Sequence, residues 1–383
     1  MTADLALFRD PHLFKILWKG FTYQMENKCM KIKNISIVIS IFLLALLLTS
    51  CTGSGTAVNS WSGALLTDTA VYFADAGQVY ALRAETGNIV WQYPEKASTT
   101  RVFLAAPALV DDQLIVGDYA NLLTSLSIRD GKENWQFNGA KGRYIDSPLI
   151  IEDTIVAPNA DNHLYALDLS GKTMWNFEAG HSFWAQPASD GKTVYAPCLD
   201  HYLYALDLET GNLKWKINLK ASLVARPALV DGTIYVGNLD GDIFAINIEN
   251  GKIIWNQNVP GGIWSAPILV DDQLFFGDQT GNVNILKVED GSIIQSFQIG
   301  SAIIGSGALL TDGIAFGNEK GEVILFGFNG EKQWVRTVDG SIYSNILVFG
   351  DRILVVATKG AKALVSLGAN GNENTNFIFS IKK

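Results

Sequence analysis

Short apolar runs alternate with Asp, Asn and Gly along most of this chain, and residues 148–177 show the pattern plainly. Pro148-Leu149-Ile150-Ile151 is followed by Glu152-Asp153, and Thr154-Ile155-Val156-Ala157 by Asn159-Ala160-Asp161-Asn162. Then come Leu164-Tyr165-Ala166-Leu167-Asp168, the turn formers Ser170-Gly171, and Thr173-Met174-Trp175-Asn176-Phe177. Runs this short, rich in β-branched and aromatic residues and bounded by turn formers, predict four hairpin-linked antiparallel strands. After residue 51 no segment holds a helical period beyond a turn or two, so no helix is expected there.

The last two runs and their turn recur along the chain. Ala205 to Trp215 reads ALDLETGNLKW, and Ala81 to Trp91 reads ALRAETGNIVW. Weaker copies end at Trp135, Trp175, Trp255 and Trp334, and two more pair Gly291 with Gln295 and Gly371 with Thr375. Trp135, Trp175, Trp215 and Trp255 stand 40 residues apart. A period in this range marks a solenoid, propeller or array, and four strands per unit make a propeller blade. Eight copies predict an all-β chain forming a single eight-bladed β-propeller of four-stranded antiparallel blades over 58–383. The first blade begins near Ser62 and the last ends within 376–381. The sequence leaves open whether the terminal strands interlock.

Each Trp is expected to lie flat between adjacent blades with its N–H on a carbonyl. Gly87, Gly131, Gly171, Gly211, Gly251 and Gly291 supply the positive φ of the preceding turn. These are structural docking positions, not catalytic ones. The phrase resembles the tryptophan-docking motif of the PQQ-repeat, quinoprotein-like eight-bladed propellers, a likeness that spans about 58–383.

Ahead of the repeats, Lys31 and Lys33 precede an apolar run, Ile35 to Leu48, that is short for a membrane span and typical of a signal peptide. It ends at Leu48-Thr49-Ser50-Cys51, which resembles the bacterial lipobox. That resemblance implies cleavage before Cys51, lipid on its thiol and amino group, and a stable anchor. Residues 30–50 are read as a lipoprotein signal peptide and 51–57 as the lipidated Cys and a flexible tether. Residues 1–29 are read as an upstream extension, with Met30 as the true start. The expected location is exported and lipid-anchored. The anchor lies in the outer membrane if the cell has one, and otherwise on the outer face of the cytoplasmic membrane.

Composition narrows the function. The formal net charge is −9, with no Lys/Arg run after residue 51, which argues against nucleic acid. Of three cysteines, only Cys198 lies among the repeats, so no disulfide framework is possible. It reads as a small buried apolar residue. His163 with Asp161, and His201 with Asp200, match no metal spacing and read as solvated turns. No phosphate-binding, dinucleotide or hydrolase fingerprint is present.

Two faces follow from the turn order. The turns between first and second strands, and between third and fourth, are acidic and suit Asp and Asn. The opposite face collects the segments leading into each first strand, where Trp61, Phe103, Tyr144, Trp184, Trp264 and Tyr343 stand with Arg143 and Arg226. Aromatic residues and Arg are enriched at protein-contact hot spots, so this is the candidate binding face.

Lipobox, tether and docking repeats together resemble the BamB family of the outer-membrane β-barrel assembly machinery. The resemblance implies a non-enzymatic scaffold that docks to envelope proteins. The stretch corresponding to that family's Leu-x-Leu-Arg loop, 219–226, keeps Leu223 and Arg226 only loosely, and the stretch corresponding to its Asp-x-Asp loop, 259–264, carries no acid. The expectation is a monomeric, membrane-anchored, protein- or ligand-binding propeller without cofactor or metal. The alternatives are a PQQ-dependent oxidoreductase and a sugar or peptide sensor. Against the first, Cys198 alone does not make the vicinal disulfide of the quinoprotein alcohol dehydrogenases.

Overall fold

A computed structural model describes residues 62–377 apart from 359, and residue 379. The lipobox with Cys51, the tether, residues 1–29 and Trp61 lie outside the described residues. The described chain forms eight antiparallel sheets in sequence order, spanning 63–93, 108–137, 149–178, 188–218, 228–258, 268–298, 308–337 and 347–368. Within each sheet the strands are hydrogen-bonded in chain order. The first strands of neighbouring blades approach one another around the axis, and the fourth strands form the outer rim. The expected eight-bladed propeller is therefore the observed one. Seven blades have four strands. The eighth has three, with an isolated bridge between Leu367 and Glu373 where a fourth would begin.

The core consists of layers between blades, not one central mass. Val156, Leu164 and Ala166 of blade 3 pack with Val194, Ala196 and Leu206 of blade 4, and equivalent clusters repeat around the ring. Third strands such as Tyr202–Asp207 bury both faces, whereas outer strands such as Leu213–Asn218 stay half in water.

The docking residues act at these joints. Trp175 Nε1 donates to Leu208 O at 2.8 Å, Trp215 to Ile248 O at 3.1 Å and Trp255 to Val288 O at 2.8 Å. Trp91, Trp135 and Trp334 donate to Ile128 O, Leu169 O and Ala369 O at 2.8–2.9 Å. Each bond crosses to the following blade. Gly211 shows why that blade needs glycine: its φ is +71°, and a Cβ would lie 2.7 Å from the Trp175 ring. Every four-stranded blade also carries a bulge just before the docking position. In blade 4 the pairing passes from Ala205–Trp215 to Leu206–Leu213 and leaves Lys214 over. A bulge of this kind bends the strand and re-aims the side chain that follows.

Two joints lack the indole. Between blades 6 and 7, Phe297 stacks on Phe326 with centroids 5.3 Å apart and covers Gly330. Between blades 8 and 1, Phe377 and Phe379 join Phe73, Tyr80 and Leu82 of the first blade and Leu354 and Leu364 of the last. Phe379 meets Tyr80 edge-on at 5.4 Å. Apolar packing by the C-terminal segment thus closes the ring.

Candidate functional site: the mouth of the propeller

The lead-in segments are held between second turns, those joining the second and third strands. Tyr144 N donates to Asp118 O of the preceding blade, and Ala160 N of the same blade donates to Arg143 O. The arrangement repeats: Phe183 with Asn159, Leu223 with Cys198, Ile263 with Asn238, and Ile303 with Asp278. Those turns are built on fully buried residues. Asn238 Oδ1 accepts from the N–H groups of Asp240 and Asp242, while its amide donates to Leu219 O at 2.8 Å. Asp118 caps its own turn and receives Arg101, whose guanidinium also donates to Tyr93 and Thr124 at 2.9 Å. Burial pulls Arg101 down, but Asp118 and Tyr93 outweigh it and raise its pKa. Sequence reasoning missed these capping residues. The signal was present in the Gly-Asp and Gly-Asn pairs that end second strands: 117–118, 237–238, 277–278 and 317–318.

This frame divides the predicted binding residues. Phe103 and Tyr144 do not belong to the face: they are 0% and 1% exposed and sit in the layers between blades. Tyr144 fills the space left by Gly117, where a Cβ would lie 2.4 Å from it. The equivalent residues Phe183, Leu223, Ile263 and Ile303 are buried too. Successive side chains of an extended segment point opposite ways, so the face begins one residue later. That position holds Leu104, Ile145, Trp184, Val224, Trp264, Ile304 and Tyr343. Trp184, Trp264 and Tyr343 are half-buried there and come from every second blade, 4, 6 and 8. Arg143 lies over the Tyr119 ring at 5.1 Å. Arg226, two residues beyond the mouth position Val224, is exposed toward the axis.

The histidine turns gather no metal site. His163 Nδ1 lies 3.0 Å from Asp161 O, and Asp161 accepts Tyr165 Oη at 2.7 Å. Asp200 accepts Gly180 N and Tyr204 Oη. Among the described residues no group of three His, Cys, Asp or Glu converges as ligands would. Cys198 is fully buried with Sγ 3.1 Å from His181 O, and burial pushes its thiol pKa up to about 12.

The chain was compared with known proteins. The family model described as outer membrane protein assembly factor BamB matches residues 53–177 and 160–312. No curated protein sequence matches significantly. Among solved structures, BamB from Moraxella catarrhalis is similar with a TM-score of 0.68 and 19% identity, covering 79% of this chain and 92% of that one. The computationally designed Ika8 protein is similar with a TM-score of 0.71 and 15% identity, covering 82% and 98%. At these identities the structural likenesses speak for the fold alone. The family match spans more than half of the sequence, and with it this chain belongs to the family of the outer membrane protein assembly factor BamB.

Proposed function

We propose that this protein is a lipid-anchored, extracytoplasmic, non-enzymatic scaffold that docks envelope proteins through the mouth of its propeller. The observation that carries the reading is the level of Trp184, Trp264 and Tyr343. They share one register position, are partly exposed, and rise from backbone that two turns hold on either side. Rigid aromatic anchors on a preorganised base are what a protein-contact surface uses, because little side-chain entropy is lost on binding. The family's description as an outer-membrane assembly factor supports envelope partners. The sequence Leu48-Thr49-Ser50-Cys51 supports the anchor, with Cys51 as the lipidated residue.

The test is site-specific photo-cross-linking in native membranes followed by mass spectrometry. Cross-linkers at 184 and 264 capture a defined protein partner, whereas cross-linkers on the acidic turns at Asp231 and Asp272 do not. Capture from the acidic turns alone overturns the assignment of the face. Cys51→Ser moves the protein from the membrane to the soluble fraction, and retention in the membrane refutes the anchor. The oxidoreductase reading is tested by adding pyrroloquinoline quinone with Ca²⁺, and dye reduction would establish it.

A further inference from the structure

The chain carries four Asn-Gly pairs, at 138–139, 250–251, 329–330 and 370–371. The last three lie in docking turns, and both members of each pair are held. Gly251 N donates to Asn247 O, Gly330 N to Gly327 O and Gly371 N to Gly368 O at 2.8–2.9 Å. The side chains of Asn250, Asn329 and Asn370 accept the N–H groups of Lys252, Glu331 and Asn372 at 2.9–3.1 Å. Their glycines are buried beneath Trp215, Phe297 and Trp334.

The pair at 138–139 is built differently. It follows the outer strand of blade 2, where the chain turns into the mouth segment of blade 3. In blades 3 to 7 the outer strand stays paired to its end: Glu178, Asn218, Asn258, Gln298 and Thr337 lie opposite His163, Tyr202, Asp242, Asn282 and Glu322. The next residue then locks onto the second turn of the same blade. Ala179, Leu219, Val259, Ile299 and Val338 each donate their N–H there at 2.8–2.9 Å. Counted from Trp135, Asn138 and Gly139 occupy these two positions. In blade 2, however, the pairing ends one residue earlier, at Leu123–Phe137. Among the described residues Asn138 and Gly139 make no hydrogen bond, and both are exposed. The Phe137 ring accounts for the glycine, since a Cβ on residue 139 would lie 2.6 Å from it.

We propose that Asn138 is a site of spontaneous deamidation, the Asn-Gly pair that the folded chain leaves free to react. The Gly139 amide nitrogen gives its proton to solvent base and attacks Cγ of Asn138. The N–Cγ bond forms, the Cγ–Nδ2 bond breaks and ammonia leaves. Water then opens the cyclic imide at either carbonyl and leaves an isoaspartyl or an aspartyl residue. No group is oxidised or reduced, and water is the co-reactant. Glycine favours the attack because no side chain shields its nitrogen. In the other three pairs the glycine N–H and the Asn carboxamide must first leave their partners, and such local opening is costly. The product carboxyl is ionised at neutral pH and adds a negative charge to a segment that also carries Lys141 and Arg143.

The test is peptide mass spectrometry of the folded full chain after incubation in warm, mildly alkaline buffer. The peptide carrying residue 138 gains the mass of an amide-to-acid exchange at least about tenfold faster than those carrying 250, 329 and 370, the factor set by the hydrogen bonds that must open first in those three. Isoaspartate at 138, told from aspartate by electron-transfer fragmentation, marks the imide route, since direct hydrolysis gives aspartate alone. In guanidinium chloride the four rates converge, because the protection belongs to the fold. Asn138→Gln removes the early acidic species on isoelectric focusing. A folded-state rate at 138 no faster than at the other three overturns the proposal, as does an excess at 138 that persists unchanged in the unfolded chain.

Discussion

Gly211→Ala probes the joint between blades 3 and 4 through two separable costs. The first is conformational. At φ +71° an L side chain is strained by about 1–2 kcal/mol. The second is steric. The new Cβ would lie 2.7, 2.8 and 2.9 Å from Cδ2, Cε3 and Cγ of Trp175, at the rigid fusion of the indole rather than at a flexible end. Trp175 is anchored through its N–H to Leu208 O at 2.8 Å, three residues before the glycine, so a shift to relieve the clash strains that bond too. Overpacking of this kind costs about 1–3 kcal/mol. The expected total is about 2–5 kcal/mol. Gly191→Ala supplies the control. Its φ is +86°, but nothing lies within 4 Å of the added Cβ, so only the conformational cost of about 1–2 kcal/mol applies. Urea denaturation followed by tryptophan fluorescence measures both, and the difference between the variants isolates the contact with the indole. A Gly211→Ala that destabilises no more than Gly191→Ala refutes the docking account of the joint.

Three further outcomes follow from the same geometry. Trp184→Ala with Trp264→Ala weakens partner capture while the melting temperature falls far less than for a fully buried pair, because both side chains are partly exposed at the mouth; a large fall in melting temperature would make them core residues. Phe297→Ala opens the joint that lacks an indole, losing the stack on Phe326, and destabilises by about 2–4 kcal/mol in the same denaturation assay; a neutral result would mean that joint holds without the stack. Cys198 resists iodoacetamide at pH 8 in the native state and reacts on unfolding, since burial pushes its pKa from 9.0 up to about 12. The folded state keeps this proton where the unfolded chain loses it. Stability from this group is therefore full below about pH 9 and falls as pH rises toward 12. Rapid labelling of the native protein at pH 8 would contradict the burial.

The repeat made the fold legible without coordinates. Glycine turns, a closing Trp and a fixed spacing are local features, and each blade is a local unit of hairpins. Trp175 and Gly211 are themselves 36 residues apart, yet the period alone pairs each Trp with the glycine of the next copy. The bulge beside Lys214 was not legible, because an extra residue in a strand has no signature apart from its partner strand. The closure at Phe377 and Phe379 was also hidden: the eighth copy lacks its Trp, and only the ring brings that segment to Phe73 and Tyr80.

The mouth shows the same limit at single-residue scale. Aromatic content marked the lead-in segments, but Phe103 and Trp184 look alike in composition while differing by one residue in register. Which of two neighbours turns inward depends on the turns that hold the segment on either side, and on a Gly such as Gly117 that leaves room for one ring. The sequence by itself determined the blade, its number and its joints, since these rest on periodic short-range patterning. Only the tertiary structure decided which aromatic residues face outward and how the ring closes. Those outcomes depend on contacts between blades, and burial there is a property of the closed ring.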